Sequence, residues 1–379
     1  MGQTTKYPRV LIIGGGFAGV NTVLNLKKLH TKLDVKLISD KYSHDYKARI
    51  FKIIEDSDSS SVQIPLNDII GEKNCFIDTV TEINLKEHLV KAKSKKEYSY
   101  DYLIIASGSQ VNFHNVTVIN DMTFSVNSSK EADLLRKHIE KTISSIKKAR
   151  EEEKISLGHI VIVGGGATGV EIAAALTKST KKLAEKYGID KSMITIDLFH
   201  SGPRLLNKLK PQVSQAVEKR LRLLGVNIFY NRRLQKEHLE NITLGDLHIK
   251  AETIIWTAGI KPNKLIPYSD KSITDYLTLK NHPEVYIIGD ASKDEYYGMA
   301  QTALEHSKYI SKSISQKINN QKIEPYKSKP VYYAVPVLSG WAAVQTRHFV
   351  FTGWIGWLIR RFIDFRYLVN RLSLESRGN

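Results

Sequence analysis

The chain has 379 residues, 42% of them apolar and 25% charged, which is long enough for two or three domains with substantial cores and excludes a disordered or fibrous protein. Lys and Arg number 56 against 39 Asp and Glu, a net charge of +17 that draws phosphate; the surplus is scattered, with no zinc-finger, helix-turn-helix or ribonucleoprotein motif, so nucleic acid is not an expected partner. A single cysteine, Cys75, excludes an intramolecular disulfide and a dithiol redox pair, and reads as a small core or surface residue.

Met1 to Lys6 is short and polar, which leaves no room for a secretory hydrophobic region, and Lys6 breaks the myristoylation pattern that Gly2 suggests. No stretch reaches about 18 uninterrupted apolar residues, so an intracellular chain without a spanning helix is expected. Arg9–Ile13 is a short, β-branched apolar run that predicts a strand, and Val20, Leu24, Leu26 and Leu29 predict a helix from about Phe17. Between them stands Gly14-Gly15-Gly16-Phe17-Ala18-Gly19. There Gly14 permits a tight turn, Gly16 lets backbone approach a pyrophosphate, and Gly19 lets helix pack on strand. Phosphate meets the open N–H groups at the helix N-terminus, which brings Phe17 and Ala18 into the candidate site. Val35–Ile38 closes a βαβ unit of about 30 residues, and Ser39 and Asp40 fall about 20 residues beyond Gly19, where an acid takes ribose hydroxyls.

Lys130–Lys154 is dense in charge, with sparse apolar positions at Leu134, Leu135, Ile139, Ile143 and Ile146, and predicts an exposed helix at a domain junction. The same grammar then restarts with strand His159–Val163, the loop Gly164-Gly165-Gly166-Ala167-Thr168-Gly169, and an alanine-rich helix through Glu171, Ala173, Ala174 and Leu176. One glycine fingerprint is a weak signal, because Gly-rich turns open many helices; two in the same strand-turn-helix context predict two nucleotides. The strand Ile194–Phe199 ends on His200 and Ser201, with Arg204 close behind and no carboxylate at its tip. Without the acid a 2′-phosphate is not repelled, and His200 or Arg204 can contact it, which admits NADPH; the alternative is that Asp197 or backbone groups hold the ribose of NADH.

Thr253–Trp256 and Val285–Ile288 predict further strands, and the polar stretch Asn319–Lys329, with Pro325 and Pro330, predicts a connection to a C-terminal module from Val331. In Gly353–Leu372, Trp354, Leu358, Phe362, Phe365, Val369 and Leu372 fall on one helical arc, with Arg360, Asp364, Tyr367 and Arg371 opposite. Such a helix fits a membrane interface, its arginines at anionic head groups and Trp354 and Trp357 at the boundary. Arg360, Arg361, Asp364 and Arg366 argue against spanning. The alternative is a helix packed on its own domain or on a dimer partner.

The order of first glycine unit, Tyr102–Gly108, second glycine unit, Trp256–Gly259 and Gly289-Asp290-Ala291 resembles the two-dinucleotide flavoprotein superfamily over nearly the whole chain. The resemblance implies an α/β fold of two Rossmann-like domains: an FAD domain (1–120 and 270–330) split by an inserted NAD(P)H domain (121–269), then a C-terminal amphipathic helical module for membrane association or dimerisation (331–379). It implies an FAD site of Gly14, Gly16, Phe17, Ala18, Gly19, Ser39, Asp40, Ser107, Gly108, Gly289, Asp290, Ala300 and Gln301, with Asp290 on the ribityl chain. The alternative for Asp290 is a turn residue. The implied NAD(P)H site is Gly164, Gly166, Thr168, Gly169, Glu171, His200, Arg204 and Gly259.

Met299–Glu305 resembles the Ala-Gln-x-Ala-x-Gln motif of type II NADH dehydrogenases, the single-subunit NAD(P)H:quinone oxidoreductases. In that family the motif starts a helix facing the pyrimidine edge of the flavin, where the helix dipole stabilises charge on the reduced ring, and its glutamines line the quinone pocket. Here Glu305 replaces the second Gln, which leaves the head-group chemistry open, and the alternative for Gln301 is an ordinary helix start. Glu171 matches a family glutamate near the nicotinamide that positions the carboxamide or relays protons; the alternative is a first-turn acid favoured by the helix dipole. The missing cysteines set aside disulfide reductases, peroxidase-like relatives and sulfide:quinone oxidoreductases.

The expected activity is hydride transfer from NADH or NADPH to FAD and two-electron transfer to a quinone, with Glu171, Gln301 and Glu305 as candidate catalytic residues, no metal and no proton pumping. The expected location is peripheral, on the cytoplasmic side of the cell membrane, against an anionic surface, with a homodimer as an option. A soluble NAD(P)H:acceptor flavoprotein resembling a ferredoxin reductase or apoptosis-inducing factor, and a non-enzymatic FAD/NAD(P)H redox sensor, are the rival readings.

Overall fold

Runs such as Val10-Leu-Ile-Ile13 and Ile160-Val-Ile-Val163 are apolar on both sides, so each satisfies its backbone only in the middle of a parallel sheet covered on both faces. The computed structural model describes residues 7–29, 31–60, 62–114, 123–238, 241–244, 247–266, 268–269, 272–292 and 294–372; Met1–Lys6 and the expected domain edges at 120/121 and 270 lie outside the described residues.

The first stretch contains β1 (Arg9–Ile13), α1 (Phe17–Lys27), β2 (Asp34–Ser39), α2 (Phe51–Asp56), β3 (Cys75–Ile77) and β4 (Tyr102–Ile105). The middle contains β5 (Thr123–Ser125), α3 (Ser129–Ser145), α4 (Glu151–Gly158), β6 (His159–Val163), α5 (Ala167–Tyr187), β7 (Thr195–Phe199), α6 (Pro211–Leu223), β8 (Val226–Phe229) and β9 (Thr253–Trp256). The chain then adds β10 (Thr278–Leu279), β11 (His282–Ile287), α7 (Ala300–Ile318), β12 (Tyr333–Pro336), β13 (Ala342–Gln345), β14 (Val350–Phe351) and α8 (Gly353–Leu372).

The two largest sheets have the orders β10-β11-β4-β1-β2-β3 and β5-β9-β6-β7-β8. The second is parallel throughout, and the first is parallel except for the β10–β11 pair. In each, the strand before the glycine loop is central and its last residue is flanked on both sides: Ile13 by Ile38 and Ile105, Val163 by Phe199 and Trp256. The glycine loops thus leave from the carboxyl ends of the strands at the point where the strand order reverses, where open α/β sheets bind ligands.

Alternate residues of β1 enter separate cores. Val10 and Ile12 pack with α1 and α7, and Leu11 and Ile13 with Tyr100, Val285 and Ile287. The largest core joins α2, α3, α5 and α6 with Val335, Val337 and Ala343 of the C-terminal region. Glu55 staples the same junction. It is buried on α2 and accepts from Lys52, from Lys178 on α5 and from Ser339; although burial works against its charge, these partners hold its carboxyl below the usual range.

Two expectations are corrected here. The segment Lys130–Lys154 is not one exposed helix: it breaks near Ala149 into α3 and α4, and Leu135, Ile139, Ile143 and Ile146 are buried in the largest core, while Leu134 stays exposed. Their spacing by three and four residues makes a stripe that the dense charge masked. The C-terminal region is not helical alone, because β12, β13 and β14 form an antiparallel sheet whose apolar residues enter the body of the protein before α8 begins. Among the described residues no helix is long and apolar enough to cross a membrane.

Candidate functional site

The glycine loops are near copies in backbone. Gly14 and Gly164 have φ of +113° and +119°, a region closed to side chains, and each donates its N–H to the neighbouring strand at 2.8 Å, to Ile38 O and Phe199 O respectively. A Cβ on Gly19 would collide with Gly14 O, and one on Gly169 with Gly164 O, so the close packing of helix on turn requires glycine in both. Gly16 and Gly166 cap their helices without a side-chain hydrogen bond, no acid stands in either first turn, and a Cβ on either would meet open space. Each helix therefore offers uncapped N–H groups and a positive dipole end to an anion that can approach closely. This is the fit expected of a pyrophosphate at both loops.

The other residues expected at the first loop gather around it. Ser39 is buried under Gly15, and Asp40 stands exposed at the tip of β2. Ser107 donates to Asn263 O at 2.5 Å, and Gly108 turns with φ of +71° and open space on its α-carbon. Asp290 follows β11 and the positive-φ turn of Gly289; it accepts from Ser109 Oγ and from the Gly298 N–H, each at 2.8 Å. A carboxylate has about four acceptor positions, so two remain for ligand hydroxyls. Ala300 opens α7, whose N-terminus is also uncapped and free of first-turn acid.

Three expected residues behave differently. Gln301 uses Oε1 to accept from the Tyr332 N–H at 2.9 Å, which ties α7 to the C-terminal region. Glu305 does not present a bare carboxylate to a quinone: it pairs with Lys308 at 3.1 Å and Lys329 at 3.0 Å, and these cations hold it below the usual range against burial. Glu171 is no first-turn acid. It is the fifth residue of α5, and burial pushes it up to about 8, with Arg360 lowering and Asp364 raising it, so it holds its proton at neutral pH.

At the second loop Thr168 is exposed, and Gly259, with φ of +151°, lies against His114. His200 does not meet a phosphate as a cation. Its Nδ1 accepts from the Gly165 N–H at 3.2 Å, which requires the neutral ring, and burial holds its pKa below the ordinary value. Arg204 is occupied within its own segment, donating to Ser214 Oγ and Asn207 O at 2.6 Å each. Asp197 is buried within β7, and its oxygens pair with His159 and Asn227.

Sequence reasoning missed the residues around Phe17. His44 Nδ1 bonds to Gly15 O at 3.0 Å, and the rings of His44, Tyr46 and Tyr367 surround that of Phe17 at centroid distances of 5.1, 5.7 and 5.2 Å. It also missed Lys47. This partly buried ammonium donates to Asn127 Oδ1 at 2.9 Å, and it lies in the field of Asp290, Asp45 and Glu131; burial holds its pKa down. Nothing local in the sequence marks these groups.

The polar arc of α8 is turned inward, contrary to its expected contact with head groups. Arg360 and Asp364 are 8% and 9% exposed, whereas Trp354, Phe362 and Phe365 are 66%, 62% and 63% exposed. Arg360 donates to the carbonyls of Ala334 and Ala48, and Asp364 accepts from Tyr46 at 2.7 Å. Arg361 and Arg366 remain exposed beside the apolar arc, and the side chains of Arg371 and Leu372 lie outside the described residues.

Residues 8–307 match the family described as pyridine nucleotide-disulphide oxidoreductase. The chain is similar to the Type II NADH:quinone oxidoreductase of Staphylococcus haemolyticus, 26% identical over 85% of each chain. It is also similar to the Type II NADH:quinone oxidoreductase Ndh of Mycobacterium tuberculosis, 25% identical over 97% of this chain and 86% of that one. In fold it matches NDH2 from Plasmodium falciparum in complex with NADH, with a TM-score of 0.84 at 17% identity over 98% and 96% of the two chains. The sulfide:quinone oxidoreductase of Aquifex aeolicus shares the fold with a TM-score of 0.76 at 16% identity over 97% and 92% of the two chains.

Proposed function

The chain belongs to the pyridine nucleotide-disulphide oxidoreductase family, and on that premise we propose that it is an NADH:quinone oxidoreductase of the type II kind. The observation that carries the reading is the matched pair of uncapped glycine loops in a chain whose one cysteine is buried, its thiol pushed up by burial. Two nucleotides and no thiol pair leave a flavin as the redox group; the names of the curated relatives support quinone as the acceptor. The first sheet with α7 forms the FAD unit and the second sheet the NADH unit.

FAD supplies the chemistry of accepting hydride and passing on two electrons. The protein supplies the rest. Gly14, Gly16 and Gly19 admit the pyrophosphate to α1, with Phe17 and Ala18 in its first turn; Ser39 and Asp40 stand at the ribose end of β2. Ser107, Gly108, Gly289 and Asp290 line the path of the ribityl chain, and the start of α7 at Ala300 and Gln301 places a dipole end at the ring. Gly164, Gly166, Thr168, Gly169 and Gly259 hold NADH, and Glu171, protonated at neutral pH, donates a hydrogen bond or a proton beside the nicotinamide. With His200 neutral and Arg204 engaged, neither supplies a cation for a 2′-phosphate, which favours NADH over NADPH.

The exposed Trp354, Phe362 and Phe365 flanked by Arg361 and Arg366 support peripheral attachment of α8 to an anionic membrane surface, which we take to be the cytoplasmic side of the cell membrane. The activity is tested by anaerobic stopped-flow: NADH bleaches the bound flavin and a short-chain quinone restores its colour. Bleaching without recovery by quinone would assign a soluble reductase, and no bleaching a sensor. For attachment, the full chain is expected to sediment with anionic liposomes and a chain ending at Thr352 is not. The cut belongs there because β13 is part of the core. Equal sedimentation would leave α8 to a second copy of the chain.

A further inference from the structure

The peptide that joins Gly15 to Gly16 is trans, so its carbonyl and its N–H point in opposite directions. Gly15 O is gripped by His44 Nδ1 at 3.0 Å, and this aims the Gly16 N–H away from His44; a Cβ on Gly16, which caps α1, would meet open space. A carbonyl only accepts, so Nδ1 carries the proton, and in the neutral ring Nε2 is then the acceptor. Nε2 lies 2.9 Å from Tyr367 Oη, which therefore donates. Tyr367 also stacks on Tyr46 with centroids 4.5 Å apart and touches Phe17, the first residue of α1. Tyr46 in turn donates to Asp364, one turn earlier on α8, and Asp364 accepts from Arg360 at 3.1 Å.

At the second loop the equivalent carbonyl is held differently. Gly165 O accepts from the backbone N–H of Leu206 at 2.9 Å, within its own unit and without any side chain. Only the first loop depends on a relay from the far end of the chain.

We propose that Tyr367 and His44 are positioning residues for the flavin, acting from α8 to fix the Gly15–Gly16 peptide against which its pyrophosphate binds. This rests on the reading of the first loop as the FAD site. The relay makes α8 part of the cofactor site as well as the bearer of an exposed apolar face, so docking of the helix and retention of the flavin are linked.

The test uses the full-length holoprotein and measures FAD dissociation by fluorescence after dilution, with NADH affinity as the control. Tyr367→Phe keeps the ring and loses the donor, and is expected to weaken FAD binding about fivefold, the worth of one neutral hydrogen bond. His44→Leu is expected to weaken it about tenfold, and His44→Asn, which offers a donor near the position of Nδ1, to recover part of that loss. In the double variant Tyr367→Phe/His44→Leu the effects should not add, because the two groups act through one peptide. NADH affinity should change in none of them. Unchanged FAD binding in both single variants, or equal weakening of FAD and NADH, overturns the relay. A wild-type protein that takes up no flavin overturns the functional reading itself.

Discussion

The two glycine loops share their turn, their uncapped helix and the same collision that demands glycine, yet they differ in what surrounds them. The first is clasped by His44, Phe17 and, through them, Tyr367, residues drawn from opposite ends of the chain. The second is held by its own neighbourhood: Leu206, His200 and the Thr257 hydroxyl, which donates to Gly164 O at 2.9 Å. Steric necessity fixes the path of the backbone, and the neighbours fix how firmly a nucleotide is kept. A flavin retained through every turnover calls for global anchoring, and a donor that enters and leaves calls for a local loop.

The largest effect comes from closing one loop at a time. Gly19→Ala places a methyl against Gly14 O and is expected to yield protein without bound flavin, whereas Gly169→Ala should keep its flavin and lose bleaching by NADH by on the order of 1,000-fold in affinity. Absorbance of the purified variants reads the first outcome and stopped-flow the second. Loss of flavin from both would break the division of labour between the loops.

The parts of this site carried by local rules were legible in the sequence. Strands β1 and β6 were marked by apolar runs and both loops by glycine spacing, because period and backbone sterics act over a few residues. The orientation of α8 was not legible. Amphipathicity assigns the polar side to water, but here Arg360, Asp364 and Tyr367 meet polar groups of a distant segment, and the apolar arc is left outside. His44 and Tyr367 are 323 residues apart, a separation that no window on the sequence can span. For the same reason the sequence left a helix-dipole acid open as the alternative for Glu171, since its protonated state depends on burial and on Arg360 and Asp364 arriving from α8.

That protonated state gives the second loop a titration. Glu171 holds its proton below a pKa of about 8 and loses it as the pH rises through that value. Turnover with NADH and quinone should therefore fall above about pH 8 in the wild type. In Glu171→Gln, which keeps a donor but has no proton to give, turnover should drop by on the order of 100-fold at neutral pH with a flat profile across this range. The same break in both profiles would move the titrating group elsewhere.

Lys47 sharpens the contrast from the flavin side. Its ammonium stands near Asp290 in the first site, and burial already weakens its hold on the proton. A positive charge there favours the negative charge that reduction leaves on a flavin. Lys47→Met is therefore expected to lower the two-electron potential of the bound flavin by about 30 mV, a tenfold change in equilibrium, with NADH affinity unaltered. Spectroelectrochemical titration measures it, and an unchanged potential would remove Lys47 from the flavin's surroundings.

The smallest effect concerns which donor the second loop prefers. His200 accepts from the Gly165 N–H and must be neutral to do so, and the Arg204 guanidinium is held by Ser214 and Asn207. A 2′-phosphate meets no cation from either residue, so NADH should bleach the flavin at about tenfold lower concentration than NADPH. His200→Glu places a carboxylate at the tip of β7 and should weaken NADPH about fivefold further while leaving NADH within about twofold. Matched titrations of both nucleotides on both proteins decide it. A wild-type preference for NADPH would mean that Arg204 abandons Ser214 when the nucleotide arrives, and the second loop would then be remodelled by its ligand while the first is held by the fold.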